Sequence, residues 1–265
     1  MLDHYIPTII KALEEASATI MEIYVKDFDI DYKEDNSPVT EADIASSKIL
    51  TRIISQFNIP IISEEEEKPS FENRKNDSLI WLVDPLDGTR EFIKKNDQFC
   101  ICVALIENGT PTLGFIASPT TKTILFGGES IGAFLVPFGT EASLNDKWKL
   151  KKPTPNQPKV IIRSNSPLSI NSKKLISDIE KTVGKTNQIN KGSALKFFDL
   201  LTGKADIYLR LAPTMEWDIA AGQAIYQTIG GEIRNLDTKE ELRYNKKDLR
   251  NPYFLAKLKT QKIDY

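Results

Sequence analysis

Apolar residues at Ile6, Ile9, Ile10, Leu13, Ala16, Ile20 and Ile23 recur at the spacing of one helix face, which predicts an amphipathic helix near the start of the chain. Phe28-Asp29-Ile30-Asp31-Tyr32 alternates strictly, as a half-buried strand does, and Asp35-Asn36-Ser37-Pro38 turns the chain. Val39-Thr40-Glu41-Ala42-Asp43 then opens a second amphipathic helix through Ile49, Leu50, Ile53, Ile54 and Phe57, with Thr40 and Asp43 as a capping pair. Ile59-Pro60-Ile61-Ile62 is a short apolar run that ends in Ser63-Glu64-Glu65-Glu66-Glu67. Ser78 to Val83 is a second such run and suits a strand buried on both faces.

That second strand delivers Asp84-Pro85-Leu86-Asp87-Gly88-Thr89. Pro85 has no N–H for a ladder and Gly88 has no Cβ, so regular pairing should stop at a tight turn carrying two carboxylates. Two acids with carbonyls and a hydroxyl among them make an all-oxygen set, which suits a hard divalent cation such as Mg²⁺. Asp-Pro and Asp-Gly also form ordinary turns. A nucleophilic aspartate of the Asp-x-Asp-Gly-Thr type fits poorly, because Pro85 and Leu86 both separate the acids and in-line attack tolerates little displacement. Glu64 follows its strand as Asp84 does, whereas Glu66 and Glu67 read as a solvated run.

From Phe99 the texture is β-rich: Phe99–Ile106, a turn at Asn108-Gly109, Thr112–Ala117, Thr123–Phe126 and Gly132–Val136, which together predict antiparallel sheet. Lys151 to Pro158 holds three prolines and no apolar residue, so it reads as a linker dividing an α+β domain, 1–152, from an α/β domain, 153–265. The second part alternates: a strand at 159–163, helices at 170–182 and 193–201, and a strand at 206–210. Glu216-Trp217-Asp218-Ile219-Ala220-Ala221-Gly222 opens a further helix that Gly230-Gly231 closes. Asp218 favours the helix dipole in any case, and the small Ala220-Ala221-Gly222 face predicts close packing that would hold it rigidly.

Composition narrows the chemistry. The 265 residues are 40% hydrophobic and carry a net charge of −2, enough for a substantial core and too little charge to attract long nucleic acid. No apolar run reaches bilayer length and no basic-then-apolar leader is present, so a soluble protein is expected. Cys100 and Cys102 are too close in sequence for a structural staple, which fits a reduced cytoplasmic setting; peripheral attachment to the inner membrane stays open beside it. His4 is the only histidine, which disfavours a Ser-His-Asp triad, a phosphohistidine or a histidine-rich zinc site.

Taken together, Asp84-Pro85-Leu86-Asp87-Gly88-Thr89, Trp217-Asp218-Ile219-Ala220-Ala221-Gly222, Glu64-Glu65 and Val39-Thr40-Glu41-Ala42-Asp43 resemble the signatures of the inositol monophosphatase superfamily, in that family's order. Asp35–Thr40, Arg90–Lys94, Gly192–Phe197 and Ala212-Pro213-Thr214 are most similar to its bacterial 3′(2′),5′-bisphosphate nucleotidases, the CysQ branch. The resemblance implies a layered αβαβα sandwich and a lithium-sensitive, Mg²⁺-dependent phosphomonoesterase with two or more ions. It implies metal ligation by Glu64, Asp84, the Leu86 carbonyl, Asp87 and Asp218, and water activation by Asp43 and Thr89. The implied substrates are adenosine 3′,5′-bisphosphate, a by-product of sulfate assimilation, and 3′-phosphoadenylyl sulfate.

Glu64, Asp87, Gly88, Thr89, Arg90, Gly192, Ser193, Lys196, Arg210 and Asp218 are the implied substrate contacts. Lys191 is a further candidate for the second phosphate, although such lysines equally suit a solvated face. Arg90 stands where the branch commonly has Lys, and Leu211-Ala212 replaces its usual Phe-Gly. An inositol monophosphatase, a broad sugar-phosphatase and a catalytically silent binding protein are the rival readings. A monomer and a homodimer are both compatible with the sequence.

Overall fold

The computed structural model describes residues 2–33, 35–141 and 144–265. Two sheets and three helical layers alternate. The first layer holds α1 (Ile6–Tyr24) and α2 (Glu41–Ile54), joined by a two-stranded hairpin of β1 (Ile30–Tyr32) and β2 (Pro38–Thr40). The first sheet has six strands in sequence order: β3 (Ile61–Ser63), β4 (Leu79–Asp87), β5 (Cys100–Glu107), β6 (Thr110–Ser118), β7 (Thr123–Gly128) and β8 (Gly132–Pro137). β3 and β4 run parallel and the remaining pairs antiparallel. The short helices α3 (Phe71–Arg74) and α4 (Thr89–Ile93) flank β4.

The second sheet has the order β10-β9-β11-β13-β12, from β9 (Val160–Arg163), β10 (Asn187–Asn190), β11 (Ile207–Arg210), β12 (Gly231–Asn235) and β13 (Phe254–Leu258). Between the sheets lie α6 (Lys196–Leu201) and α7 (Glu216–Gln227), and α5 (Ile170–Val183) covers the outer face of the second sheet. The result is an αβαβα sandwich.

Period-two alternation builds these layers. In β4 and β5, Trp81, Val83, Ile101, Val103 and Leu105 pack with Ile9, Leu13 and Ile20 of α1. Their neighbours Ile80, Leu82, Cys100, Cys102, Ala104 and Ile106 face Trp217, Ala221 and Ile225 of α7. Each large aliphatic side chain so buried contributes roughly 1.5–3 kcal/mol. The stretch 151–158 connects the two sheets, yet one apolar cluster runs from Ile62 and Leu82 through α7 to Tyr208 and Phe254.

α7 lies very close to the first sheet. A Cβ on Gly114 of β6 would stand 2.2 Å from the Ala221 carbonyl oxygen, and one on Gly222 would stand 2.1 Å from the Phe197 ring. The small-residue face read from the sequence is therefore filled by backbone and ring.

The structure corrects several expectations. The first hairpin strand is exposed at all three positions instead of half-buried, since only β2 pairs with it and no layer covers it. The helix expected from Ser193 begins at Lys196, because Ser193 adopts a left-handed φ of 49°. β4 does not stop at Asp84: pairing resumes at Asp87, as described below. No helix among the described residues is long and apolar enough to cross a membrane.

Candidate metal centre and cleft

The site begins with an irregularity in β4. Asp84 pairs with Cys102 and Asp87 with Cys100, so three steps along β4 match two along β5. One extra residue is absorbed as a bulge, where Pro85 offers no ladder donor. Residues three apart on a regular strand point to opposite faces. Here the bulge shifts the parity: Leu86 turns towards the α1 side, and Asp87 joins Asp84 on the face of Cys100 and Cys102. Ser46 of α2 donates to the Pro85 carbonyl at 2.7 Å and the Leu86 N–H donates to Asp84 Oδ1 at 3.0 Å, which fixes the turn. Gly88 follows with φ of 101°, and a Cβ there would stand 2.9 Å from the Gln98 carbonyl oxygen.

Three chain-distant acids converge at this point. One oxygen each from Glu64, Asp84 and Asp218 lies within 4.8 Å of the others. Glu64 is placed by the parallel β3–β4 pair, its N–H donating to the Val83 carbonyl at 3.0 Å. The Trp217 indole N–H donates to Glu64 Oε2 at 3.0 Å, and Lys33 Nζ reaches Glu64 Oε1 at 3.0 Å and Glu65 Oε1 at 2.7 Å. Asp218, in the first turn of α7, accepts from the Met215 N–H at 2.9 Å. Asp87 Oδ2 accepts from the Ala194 N–H, which the left-handed Ser193 turn presents.

Electrostatics mark the cluster as short of positive charge. Burial, then the charges of Glu64, Asp87 and Asp218, push Asp84 well above the ordinary carboxylate range. Burial and then Asp87 and Glu64 do the same to Asp218. Burial raises Asp87 to about 6 against the pull of Lys196. Acids crowded in this way and rich in acceptor oxygens fit a divalent cation with oxygen ligands, the chemistry expected for Mg²⁺.

Beside this cluster, Thr89 Oγ1 donates to Asp43 Oδ1 at 2.9 Å and lies 3.4 Å from the Leu86 carbonyl oxygen. The capping pair expected from the sequence is present as well: Asp43 Oδ2 accepts from the Thr40 N–H at 2.8 Å and the Thr40 hydroxyl at 2.6 Å. Capping locks the carboxylate so that its other oxygen meets Thr89. Burial raises Asp43 and its bonds to Thr40 and Thr89 partly offset this.

A cleft of about 370 Å³ opens over Asp87, Gly88 and Asp218. Arg90, Gly192, Ser193, Lys196 and Arg210 line it as well. Burial lowers Lys196 to about 8 although Asp87 opposes the shift. Its ammonium donates to the Lys191 carbonyl at 3.1 Å and sits 5.2 Å above the Tyr208 ring. Arg210 is held by the Ala212 and Pro213 carbonyls at 3.1 and 2.9 Å. Lys191 is not part of this lining: its ammonium pairs with Asp199 at 2.8 Å. A larger cleft of about 760 Å³, lined by Asp3, Glu107, Ile131 and Phe134 among others, shares none of these residues.

Sequence reasoning missed Lys33, the Trp217 indole on Glu64, and Lys94, Ser164, Asn165 and Tyr208 of the cleft wall. Only tertiary contact identifies these roles, since no local pattern says which side chain meets Glu64 or the cleft wall.

Comparison with known proteins supplies the relationship. The sequence profile of the inositol monophosphatase family matches residues 1–263. A Haemophilus influenzae protein described as 3′(2′),5′-bisphosphate nucleotidase CysQ is 32% identical over 256 residues, 96% of this chain and 92% of the relative. A Buchnera aphidicola protein of the same description is 38% identical over 224 residues, 83% and 80% of the two chains. The crystal structure of CysQ from Bacteroides thetaiotaomicron, described as a bacterial member of the family, superposes with a TM-score of 0.84 at 35% identity, covering 96% of this chain and 97% of that one. This chain belongs to the inositol monophosphatase family.

Proposed function

We propose that this chain is a Mg²⁺-dependent phosphomonoesterase that removes the 3′-phosphate of adenosine 3′,5′-bisphosphate, giving AMP and phosphate, and acts likewise on 3′-phosphoadenylyl sulfate. The observation that carries this reading is the convergence of Glu64, Asp84 and Asp218 within 4.8 Å, beside the Thr89–Asp43 pair and below a basic cleft. The relatives described as bisphosphate nucleotidases support the choice of substrate.

Glu64, Asp84, the Leu86 carbonyl, Asp87 and Asp218 would hold the Mg²⁺. Bound there, the ion supplies neutralisation of the phosphate dianion and a lower pKa for the attacking water. The Thr89 hydroxyl gives its hydrogen to Asp43 Oδ1, which leaves its lone pairs free to accept a hydrogen from that water. The proton then passes through Thr89 Oγ1 to Asp43, a general-base relay that needs no histidine. Burial raises the basicity of Asp43 and so favours this transfer. Lys196 and Arg210 present cationic N–H groups to the second phosphate, and Gly192 and Ser193 shape the nucleoside wall. The free thiols of Cys100 and Cys102 suit a cytoplasmic setting.

The test compares phosphate release from adenosine 3′,5′-bisphosphate and from inositol 1-phosphate at saturating Mg²⁺. Two charge-assisted contacts made by the second phosphate are worth roughly 1.5–3 kcal/mol each, which sets the expected preference in kcat/KM at about 100-fold or more. A reversed preference would move the assignment to an inositol monophosphatase. Silence on both substrates across a Mg²⁺ titration would refute the nucleotidase reading and leave the sugar-phosphatase and binding-protein readings.

A further inference from the structure

The bulge that brings Asp87 beside Asp84 also brings it beside two thiols for which the proposed mechanism has no use. Cys100 Sγ lies 4.0 Å from Cys102 Sγ and 3.8 Å from Asp87 Oδ2. One ligand atom from each of the three residues falls within 4.8 Å of the others. Two thiolates at ~2.3 Å from one tetrahedral ion stand about 3.8 Å apart, and a thiolate and a carboxylate oxygen about 3.5 Å. The Cys100–Cys102 and Cys100–Asp87 separations therefore need only a few tenths of an ångström of adjustment, and Cys102 and Asp87 lie within 4.8 Å of one another.

We propose that Cys100, Cys102 and Asp87 form a site for a thiophilic divalent cation of the Zn²⁺ and Cd²⁺ class, and that its occupation withdraws Asp87 from the hard-cation set and stops turnover. Soft sulfur ligands select this class and reject Mg²⁺, so the two sites differ in preference although they share one carboxylate. Three protein ligands leave a fourth position for water, as in open zinc sites. Both cysteines are fully buried, while Asp87 is only half-buried and lines the cleft. Entry is past its carboxylate. On binding, each thiol releases its proton to solvent and each sulfur contributes an electron pair to the metal; no redox change is involved.

The inhibitory consequence rests on the proposed role of Asp87 in the hard-cation set, but binding itself does not, so the experiment reads binding first. Cd²⁺ is titrated into the purified, reduced, Mg²⁺-free protein while the ultraviolet thiolate-to-cadmium charge-transfer band is followed. The chain has two cysteines only, so the band reports this pair alone. The expected result is a band that saturates at one equivalent, halves or vanishes in Cys100→Ser and Cys102→Ser, and weakens at least tenfold in apparent affinity when excess Mg²⁺ competes for Asp87. No band on the wild-type protein overturns the site, and a band indifferent to Mg²⁺ overturns the sharing of Asp87 and with it the inhibitory role. Inhibition by Cd²⁺ is then read for each variant against its own uninhibited rate. At least a tenfold rise in the inhibitory concentration is expected in the cysteine variants, and equal sensitivity of all three proteins would refute the inhibitory role. Circular dichroism of each variant confirms that it is folded. Because the band needs no substrate, it stands or falls separately from the nucleotidase assignment.

Discussion

Gly114→Ala tests whether the packing of α7 sets the metal centre. The residue lies in β6 and carries no chemistry of its own. Its added methyl would start 2.2 Å from the Ala221 carbonyl oxygen and 2.8 Å from the Ala221 Cα, both backbone atoms of α7. An ordinary carbon–oxygen contact is about 3.3 Å, so strand and helix must separate by roughly 1 Å. Overpacking of this kind costs about 1–3 kcal/mol, and with backbone as the obstacle the upper end applies. For a chain of this size that corresponds to a melting-temperature loss of about 5–10 °C. The same retreat carries Asp218 away from Glu64 and Asp84, and a misplacement near 1 Å costs on the order of 100-fold in turnover. Thermal melting with and without Mg²⁺, together with phosphate release, reads both effects. Added Mg²⁺ should also raise the melting temperature less in the variant than in the wild type. A variant with unchanged melting and kcat within about twofold would show that α7 has room to move, and would remove close packing as the support of Asp218.

Two further outcomes follow from the relay and from the acid cluster. Thr89→Val should lower kcat by about 10²–10⁴ with KM little changed, and Thr89→Ser should recover most of the loss; equal rates for the two variants would exclude the hydroxyl as proton carrier. In metal-free protein Asp87 titrates near 6, above its unfolded value near ~4, so the folded state binds the extra proton. That contribution to stability is fully present below pH ~4 and is lost as pH rises through about 6. The melting temperature of wild type relative to Asp87→Asn should therefore fall across this window in chelator. A difference that stays flat or rises with pH contradicts the assigned direction.

Much of the centre was legible because its signals are local. A buried strand ending in two acids announces Asp84 and Asp87, a capping pattern places Asp43 at a helix start, and Ala220-Ala221-Gly222 signals a helix that something approaches closely. Other features depend on partners that no local pattern names. The exposed hairpin strand was misread because alternation in Phe28 to Tyr32 has the same form whether or not a layer covers it. Lys33 could not be seen as the partner of Glu64 and Glu65, since the contact joins residues far apart in the chain. Ser193 read as helical from its neighbours, yet its left-handed conformation is what turns the Ala194 N–H towards Asp87.

Along a strand, side-chain direction behaves as a two-valued counter, and the bulge in β4 adds one count. Straightening the strand with no residue removed would keep every ligand in the chain and still exchange Asp87 for Leu86 at the inward position. At this spacing the bulge is thus as strict a requirement as the acids it joins. A homologue with one residue fewer here would hold its two acids on one face with no bulge at all.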